Sequence, residues 1–301
     1  MSNTLENLRR KIVGAQQLES VVSTMKAQAA ANIGQYETAM KALSDYERTV
    51  ELGLTACFRQ SAPISVNERS DESMNDIAAV VFGSDQGLVG QFNDRLAEYV
   101  QTKLDALPGT KTLWAVGERV CGRLADAGFT VKRIFEVPGA ITSITSLIGQ
   151  ILTESVINRR QGEFSSLFIF HNRSEFGTVY EPVCQQLLPM DATWQHSLAQ
   201  ADWPTRNLAE IIGDATAPAL RALIREYLFI SLFKACAESL ASENASRLNA
   251  MQRAEKNIND LLKNLKQTSR TLRQGSIDEE LFDVIAGYVL STEQRNQGKK
   301  F

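Results

Sequence analysis

Cysteine and histidine are scarce in this sequence, and their spacing fits no metal or disulfide motif. The 4 cysteines lie tens of residues apart without a Cys-x-x-Cys pair, and only His171 and His196 could complement them. A structural zinc site needs clustered ligands, and a disulfide framework needs closely spaced cysteines. We therefore expect isolated, reduced thiols in a soluble protein on the reducing side of a membrane.

Long apolar runs and an excess of one charge are also absent. No run approaches the roughly 18 apolar residues that a membrane span requires, and the N-terminus has no apolar signal core. The formal net charge of −3 gives no general basic signal. We therefore expect neither insertion into a membrane nor binding to nucleic acid.

Proline is missing from about residue 4 to 59, where apolar residues recur at helical steps. These steps of three and four predict a long helix with a narrow apolar stripe, which wants a single partner helix. An extra step of three between Ala15 and Leu18 predicts a stammer in the heptad. The predicted stripe consists of Leu5, Leu8, Ile12, Ala15, Leu18, Val22, Met25 and Ala29.

A second long helix is predicted at the other end of the chain. Pro218 stands where a first-turn proline is tolerated, and no proline follows it. Gly275 is unfavourable inside a helix by roughly 1 kcal/mol, and we expect the helix to continue through it. The predicted coiled-coil seam consists of Met251, Ala254, Ile258, Leu261, Leu265, Thr268 and Leu272. The simplest arrangement packs the two terminal helices as an antiparallel coiled coil.

Between these helices the pattern is typical of an α/β domain. Apolar runs at 77–83, 111–117, 129–137, 166–172 and 177–189 predict strands, and helical segments separate several of them. Such alternation favours a largely parallel, Rossmann-like sheet of about five strands, covered on both faces. The chain is thus divided into a coiled-coil helix (1–59), a linker (60–76), an α/β domain (77–207, irregular after 189) and a second coiled-coil helix (208–301).

The segment "GSDQGLVG" raises the question of a nucleotide site, because Gly83, Gly87 and Gly90 follow the first strand. It is not Gly-x-Gly-x-x-Gly, it has no Gly-Lys-Ser/Thr, and it carries Asp85 instead of a cation. A structural turn is the better interpretation, and a Rossmann-like nucleotide-binding module remains the alternative.

Other candidate sites give weaker signals. His171 at a predicted strand end could be a catalytic base but is better explained by structural hydrogen bonds, and His196 in a predicted loop has no nameable partner. The acidic cluster at 278–283 is typical of a solvated helix face. Residues 243–274 contain 7 basic and 3 acidic residues, a local balance of +4. Such a basic arm suits acidic partner loops, and a passive coiled-coil scaffold does not explain it.

Three segments together resemble the gamma subunit of the F-type ATP synthase, in the same order and at similar separations. They are "LRRKIVGAQQLESVVSTMKAQAA", "GSDQGLVGQFN" and a C-terminal block that begins "ASENASRLNAMQRAEKNIND". The resemblance covers essentially the whole chain, and its last block is the most specific. It departs from the family's "DRGLCGGFN" by Gln86, Val89 and Gln91, which indicates a divergent member.

The resemblance implies a non-catalytic rotor subunit that couples ion flow to ATP synthesis or hydrolysis and needs no cofactor. Its implied partners are the alpha and beta subunits, the epsilon subunit and the membrane c-ring. Its implied location is peripheral, at the cytoplasmic face of the bacterial inner membrane.

By the same resemblance, certain side chains would contact the beta subunits. Arg247 and Arg273 would give forked hydrogen bonds to acidic loops, while Asp278 stands where the family often has threonine. In the glycine turn, small residues would let the first strand and helix pack close to the shaft. The implied beta-contact set is Met25, Lys26, Arg247, Arg273, Gln274 and Asp278.

Overall fold

The computed structural model describes residues 2–60, 76–175, 179–207 and 216–297, which form six helices and five strands. The two terminal helices are much the longest, with 59 and 82 residues. The elements are α1 (Ser2–Gln60), β1 (Ile77–Phe82), α2 (Phe92–Asp105), β2 (Lys111–Val116), α3 (Glu118–Asp126), β3 (Val131–Phe135), α4 (Ile141–Arg160), β4 (Ser166–Glu175), β5 (Val179–Leu188), α5 (Ala192–Gln200) and α6 (Thr216–Gln297).

The five strands form one sheet in the order β3-β2-β1-β4-β5. β1 pairs in parallel with β2 and β4, β2 pairs in parallel with β3, and β5 is antiparallel to β4. β1 is buried at every position because it lies at the centre of the sheet and both of its faces are covered. The predicted Rossmann-like α/β domain between two long helices is confirmed.

Two apolar cores lie on opposite faces of this sheet. One contains side chains of α2 and α3, including Leu96 and Leu124. The other contains side chains of α4 and α6 together with Tyr36 of α1. α6 is therefore part of the core of the α/β domain, since Leu232, Leu240 and neighbouring residues pack there.

The chain divides into two compact units, and each long helix contributes to both. Unit 1 comprises residues 1–27 and 251–301, and unit 2 comprises residues 28–250. Within unit 2 the long helices are antiparallel, because Asn32 contacts Asn244 and Tyr46 contacts Glu226. α6 continues through Gly275, as expected.

The seam of α1 differs from the prediction at one turn. Leu18 is 58% exposed, whereas Glu19 is half-buried, so the more buried positions continue at steps of four and three through Glu19, Val22 and Lys26. The stammer predicted at Leu18 is wrong. The heptad stays regular, and its geometry outweighs the apolar character of a single leucine.

The seam of α6 is also shifted from the prediction at two positions. Leu261 is 49% exposed whereas Leu262 is 4% exposed, and Ser269 is more buried than Thr268. Two consecutive leucines fit a heptad equally well in sequence, and only packing distinguishes them. The assignments of Leu261 and Thr268 to the seam are therefore wrong.

The segment after β5 is not irregular throughout. α5 begins after Asp191, whose carboxylate accepts a hydrogen bond from Thr193 N at 2.9 Å and so caps the helix. At its other end, Arg59 Nε donates to Ala199 O at 2.8 Å, which ties α5 to the end of α1. His196 consequently lies on a helix and not in a loop.

The linker predicted at 60–76 lies almost wholly outside the described residues, as do 208–215, so the predicted domain boundaries stay predictions. Within the described ranges, no helix combines the length and the apolar character needed to cross a membrane.

Candidate partner-contact residues and the glycine turn

The glycine turn is held by hydrogen bonds that use its own polar side chains. Asp85 accepts from the backbone N–H groups of Glu118 and Val137, each at 2.9 Å. Asn93 Nδ2 donates to Ser84 Oγ at 2.8 Å, and Asn93 Oδ1 accepts from Ser84 N at 3.1 Å. Asp85 thus joins the start of α3 to the segment after β3, a structural role that occupies both carboxylate oxygens.

The three glycines of the turn do different things. A Cβ at Gly83 would lie 2.3 Å from Val120 Cβ, so close packing of β1 against α3 requires glycine. Gly90 has a φ of 62°, which favours glycine. At Gly87, a Cβ would lie 3.8 Å from the nearest atom of Arg119, so close packing is not what Gly87 provides.

The turn also contacts α6. Ser239 Oγ donates to Phe82 O at 2.9 Å, and Ser246 Oγ donates to Val89 O. The expected packing of the first strand near the shaft is therefore accompanied by hydrogen bonds from α6, while the tight steric contact at Gly83 is with α3. Leu88 has a φ of 63° and is 62% exposed, which no residue pattern in the sequence predicted.

A cavity of about 370 Å³ lies beside this turn, and it is lined by three carboxylates and two guanidinium groups. Arg123 Nε contacts Asp94 Oδ1 at 2.8 Å, and Glu118 and Asp126 also line the cavity near Arg119. A phosphate would meet three carboxylates here as well as two guanidinium groups. The geometry disfavours the nucleotide-site alternative.

Met25 and Lys26 lie on α1 in unit 1. Met25 is half-buried. Lys26 Nζ donates to both carboxylate oxygens of Glu255, at 2.8 and 2.7 Å, across to α6. Sequence reasoning missed Glu255 as a functional residue. A regular heptad places Glu19 and Lys26 in the seam. It would have predicted that Lys26 pairs with an acidic residue of the partner helix.

Arg247 is committed to a buried ion pair in unit 2. Its Nη2 lies 2.6 Å from Glu243 Oε1, and the two side chains are 12% and 7% exposed. Burial raises the pKa of the Glu243 carboxyl; Arg247 opposes this shift and Asp85 adds to it. A cavity of about 190 Å³, lined by Tyr36, Asp85 and both members of the pair, lies alongside.

Arg273, Gln274 and Asp278 all lie exposed on α6 in unit 1. From Ile277 onward the helix also exposes large apolar side chains, which a solvated helix end would not need. These side chains are Ile277 (54%), Leu281 (57%), Phe282 (71%), Val284 (69%) and Ile285 (49%).

The histidines and cysteines form no catalytic or metal centre that the geometry supports. His171 lies inside β4 rather than at its end, and its Nε2 is 2.7 Å from Glu238 Oε2. His196 Nε2 is 3.0 Å from Gln200 Nε2. Burial raises the pKa of the Cys184 thiol to about 11, which disfavours the reactive thiolate. Among the described residues, no group of three or more possible ligands could hold a metal ion.

Comparison with known proteins gives one consistent result. A family model described as ATP synthase matches residues 4–289. The chain is 28% identical over 298 residues to the ATP synthase gamma chain of Hyphomonas neptunium, covering 94% of this chain and 98% of that relative. It is 24% identical over 286 residues to the gamma chain of Glaesserella parasuis, covering 94% and 97%.

The fold is similar to that of a chain in a solved structure of the Euglena gracilis mitochondrial ATP synthase, which includes F1 and the c-ring. The TM-score is 0.67 at 17% sequence identity, with 100% of this chain and 97% of that chain covered.

Proposed function

Since the chain belongs to the ATP synthase family, we propose that it is the gamma chain of an F-type ATP synthase, the rotor of the central stalk. The observation that carries this proposal is the combination of two continuous helices, of 59 and 82 residues, with a five-stranded α/β domain between them. The family match extends over residues 4–289, so it includes all three parts.

In this role the chain is a non-catalytic subunit. Ion flow through the membrane sector turns the shaft, and the shaft contacts each beta subunit differently as it turns. Each contact favours one conformation of the beta subunit over the others, so nucleotide binding and release follow the angle of the shaft. Coupling therefore requires surfaces on α1 and α6 that differ around the axis.

The exposed residues of unit 1 support such contacts with the alpha and beta subunits. Six basic side chains of α6 are exposed between Arg253 and Arg273, and cations of this kind complement acidic loops. The exposed apolar side chains from Ile277 to Ile285 suit contact with apolar surfaces of the alpha and beta subunits around this part of the helix. The six basic residues are Arg253, Lys256, Lys263, Lys266, Arg270 and Arg273.

The proposed contact residues are not equally available. Arg273, Gln274 and Asp278 are exposed. The side chain of Arg247, in contrast, is 12% exposed and is paired with Glu243. A beta loop that reaches Arg247 must therefore share its guanidinium with Glu243. We propose Arg273 as the most accessible basic contact of this set.

The α/β domain and the ends of the long helices near it would meet the epsilon subunit and the membrane c-ring. The assembled complex would hold the chain peripherally at a membrane. The relatives from Glaesserella parasuis and Hyphomonas neptunium are bacterial proteins, which supports the cytoplasmic face of a bacterial inner membrane.

Affinity purification tests this function, using the tagged chain expressed with the alpha, beta and epsilon chains of its own cell. We expect alpha and beta to co-purify with the chain and with Arg273→Ala alike, while Arg273→Ala lowers ATP synthesis in membrane vesicles. Arg95→Ala, an exposed arginine on α2, serves as the control and should leave synthesis unchanged. A chain that stays monomeric beside its alpha and beta chains would contradict the proposal.

A further inference from the structure

A charged pair occupies the seam of the coiled coil in unit 1. Lys26 and Glu255 are bonded through both carboxylate oxygens, and their side chains are 32% and 28% exposed. Lys26 follows Glu19 by one heptad, and Leu262 follows Glu255 by one heptad, at positions that are half-buried or buried. The pair therefore sits between the helices and not on an outer face.

Part of the remaining seam consists of small side chains, which specify an alignment weakly, although Leu262 and the half-buried Leu265 and Leu272 are large. Ala15 is buried, and Ser269 and Ser276 occupy seam positions as well. Small side chains make little distinction between alignments that differ by one heptad, because each still packs small against small.

The charged pair does make that distinction. Antiparallel helices shifted by one heptad in one direction would place Glu255 opposite Glu19, so that two carboxylates would meet in a half-buried seam. A shift in the other direction would place Lys26 opposite Leu262, which would leave the ammonium group unpaired against a buried leucine. Both alternatives separate Lys26 from Glu255, and the first also brings two carboxylates together, whereas the observed alignment keeps the pair.

We infer that Lys26 and Glu255 form a register key for unit 1, which stabilises the observed alignment of α1 and α6 there and so positions the side chains that each face of the coiled coil presents in that unit. This inference rests on the proposed rotor function for its consequence, and it assigns Lys26 a role other than the beta contact that the family resemblance implies. Lys26 and Glu255 are positioning residues. They act through the exposed residues, such as Arg273, whose placement around the shaft they set.

The two roles of Lys26 make opposite predictions for charge reversal. If Lys26 acts on an acidic beta loop, Lys26→Glu stays impaired whatever stands at position 255. If it acts on Glu255, reversing both charges restores the pair. Exchanging the two charges is thus a direct test, because the double variant regains function only if the two side chains interact with each other.

The experiment uses the assembled complex in membrane vesicles and measures the ratio of ion-driven ATP synthesis to ATP hydrolysis. For Lys26→Glu and Glu255→Lys singly, we expect that ratio to fall about tenfold, and for the double swap to return within about twofold of the parent. The exposed Arg173–Glu181 pair between β4 and β5, at 3.9 Å and outside unit 1, is the control. Its reversals should leave the ratio within about twofold of the parent.

A double swap as impaired as Lys26→Glu alone would overturn the inference, and so would single reversals that change nothing. Where the reversals prevent assembly, the neutral double variant Lys26→Met with Glu255→Leu decides. It should assemble with a reduced ratio, and a parental ratio in it would overturn the inference.

Thermal unfolding of the purified full chain distinguishes this failure from failure of the proposed function. Rescue of Tm by the double swap, in a chain that does not bind alpha and beta, would uphold the pair and reject the rotor.

Discussion

Gly83 and Gly87 lie four residues apart in the same turn, yet the space around them differs. A Cβ at Gly83 would lie 2.3 Å from Val120 Cβ and 2.9 Å from Asn93 Oδ1, while at Gly87 the nearest atom is 3.8 Å away. Because Val120 is itself buried on α3, it cannot move aside without shifting the helix.

We predict that Gly83→Ala lowers the free energy of unfolding by about 2 kcal/mol or more, the usual cost of overpacking. Gly87→Ala should change it by less than about 0.5 kcal/mol, as a surface substitution does. Urea unfolding of the purified chain followed by circular dichroism measures both. Equal losses in the two variants would show that the turn does not pack as described.

The Arg247–Glu243 pair should reveal itself in the pH dependence of stability. With Arg247→Met, the buried Glu243 carboxyl loses the group that holds its pKa down, so its pKa in the folded state rises further above the unfolded value of about 4.3. A raised folded pKa stabilises the protein at low pH, and that stability is lost as pH rises through the folded value.

Arg247→Met should therefore lose stability between about pH 5 and pH 8, reaching about 3–5 kcal/mol below the parent at the upper end. Adding Glu243→Gln should remove most of this pH dependence, since no charge is then left buried. Denaturant unfolding across that pH range is the measurement, and a slope that persists in the double variant would assign it to another group.

How far the sequence predicts such residues depends on where their neighbours come from. The glycines and Asp85 are visible as a turn, because glycine and aspartate are frequent turn residues, although Gly90 alone of the three glycines has a positive φ. The close contact at Gly83 involves Val120, 37 residues further along the chain, and only the packing of α3 on the sheet brings it there.

At the scale of elements, the two long helices were predicted, but their seams were misread where hydrophobicity conflicted with the heptad. Leu18 and Leu261 are apolar yet exposed, while Glu19 and Lys26 occupy the seam. A charged residue fits a seam when a partner satisfies it, as Glu255 does for Lys26. The short helix α5 was missed because its nine residues carry little periodicity, although Asp191 was available as an N-cap.

Leu262 and Leu261 give a matched test of the corrected seam. Leu262 is 4% exposed and Leu261 is 49% exposed, so we predict that Leu262→Ala costs about 2–4 kcal/mol and Leu261→Ala less than about 1 kcal/mol. Thermal unfolding of the purified chain, followed by helical circular dichroism, compares them. A larger loss for Leu261→Ala would restore the seam expected from the sequence.

For the whole molecule, the order of parts could be predicted because each has its own periodicity: heptads at the ends, and alternating strands and helices between them. The mixed sheet also follows, since βαβ crossovers give parallel neighbours and the short connection from β4 to β5 gives an antiparallel one. The double use of α6, as one half of a coiled coil and as part of the core of the α/β domain, could not be predicted. It depends on which face of the sheet the helix meets.

Rotation of this chain within the alpha and beta head is the most direct test of its function. The head is fixed to a surface, and a bead is attached through a cysteine placed at the exposed Glu98 of α2, with the four native cysteines replaced. We predict stepwise rotation of the bead in one direction when ATP is added, and no rotation without it. A head that hydrolyses ATP while the bead on this chain stays still would contradict the account.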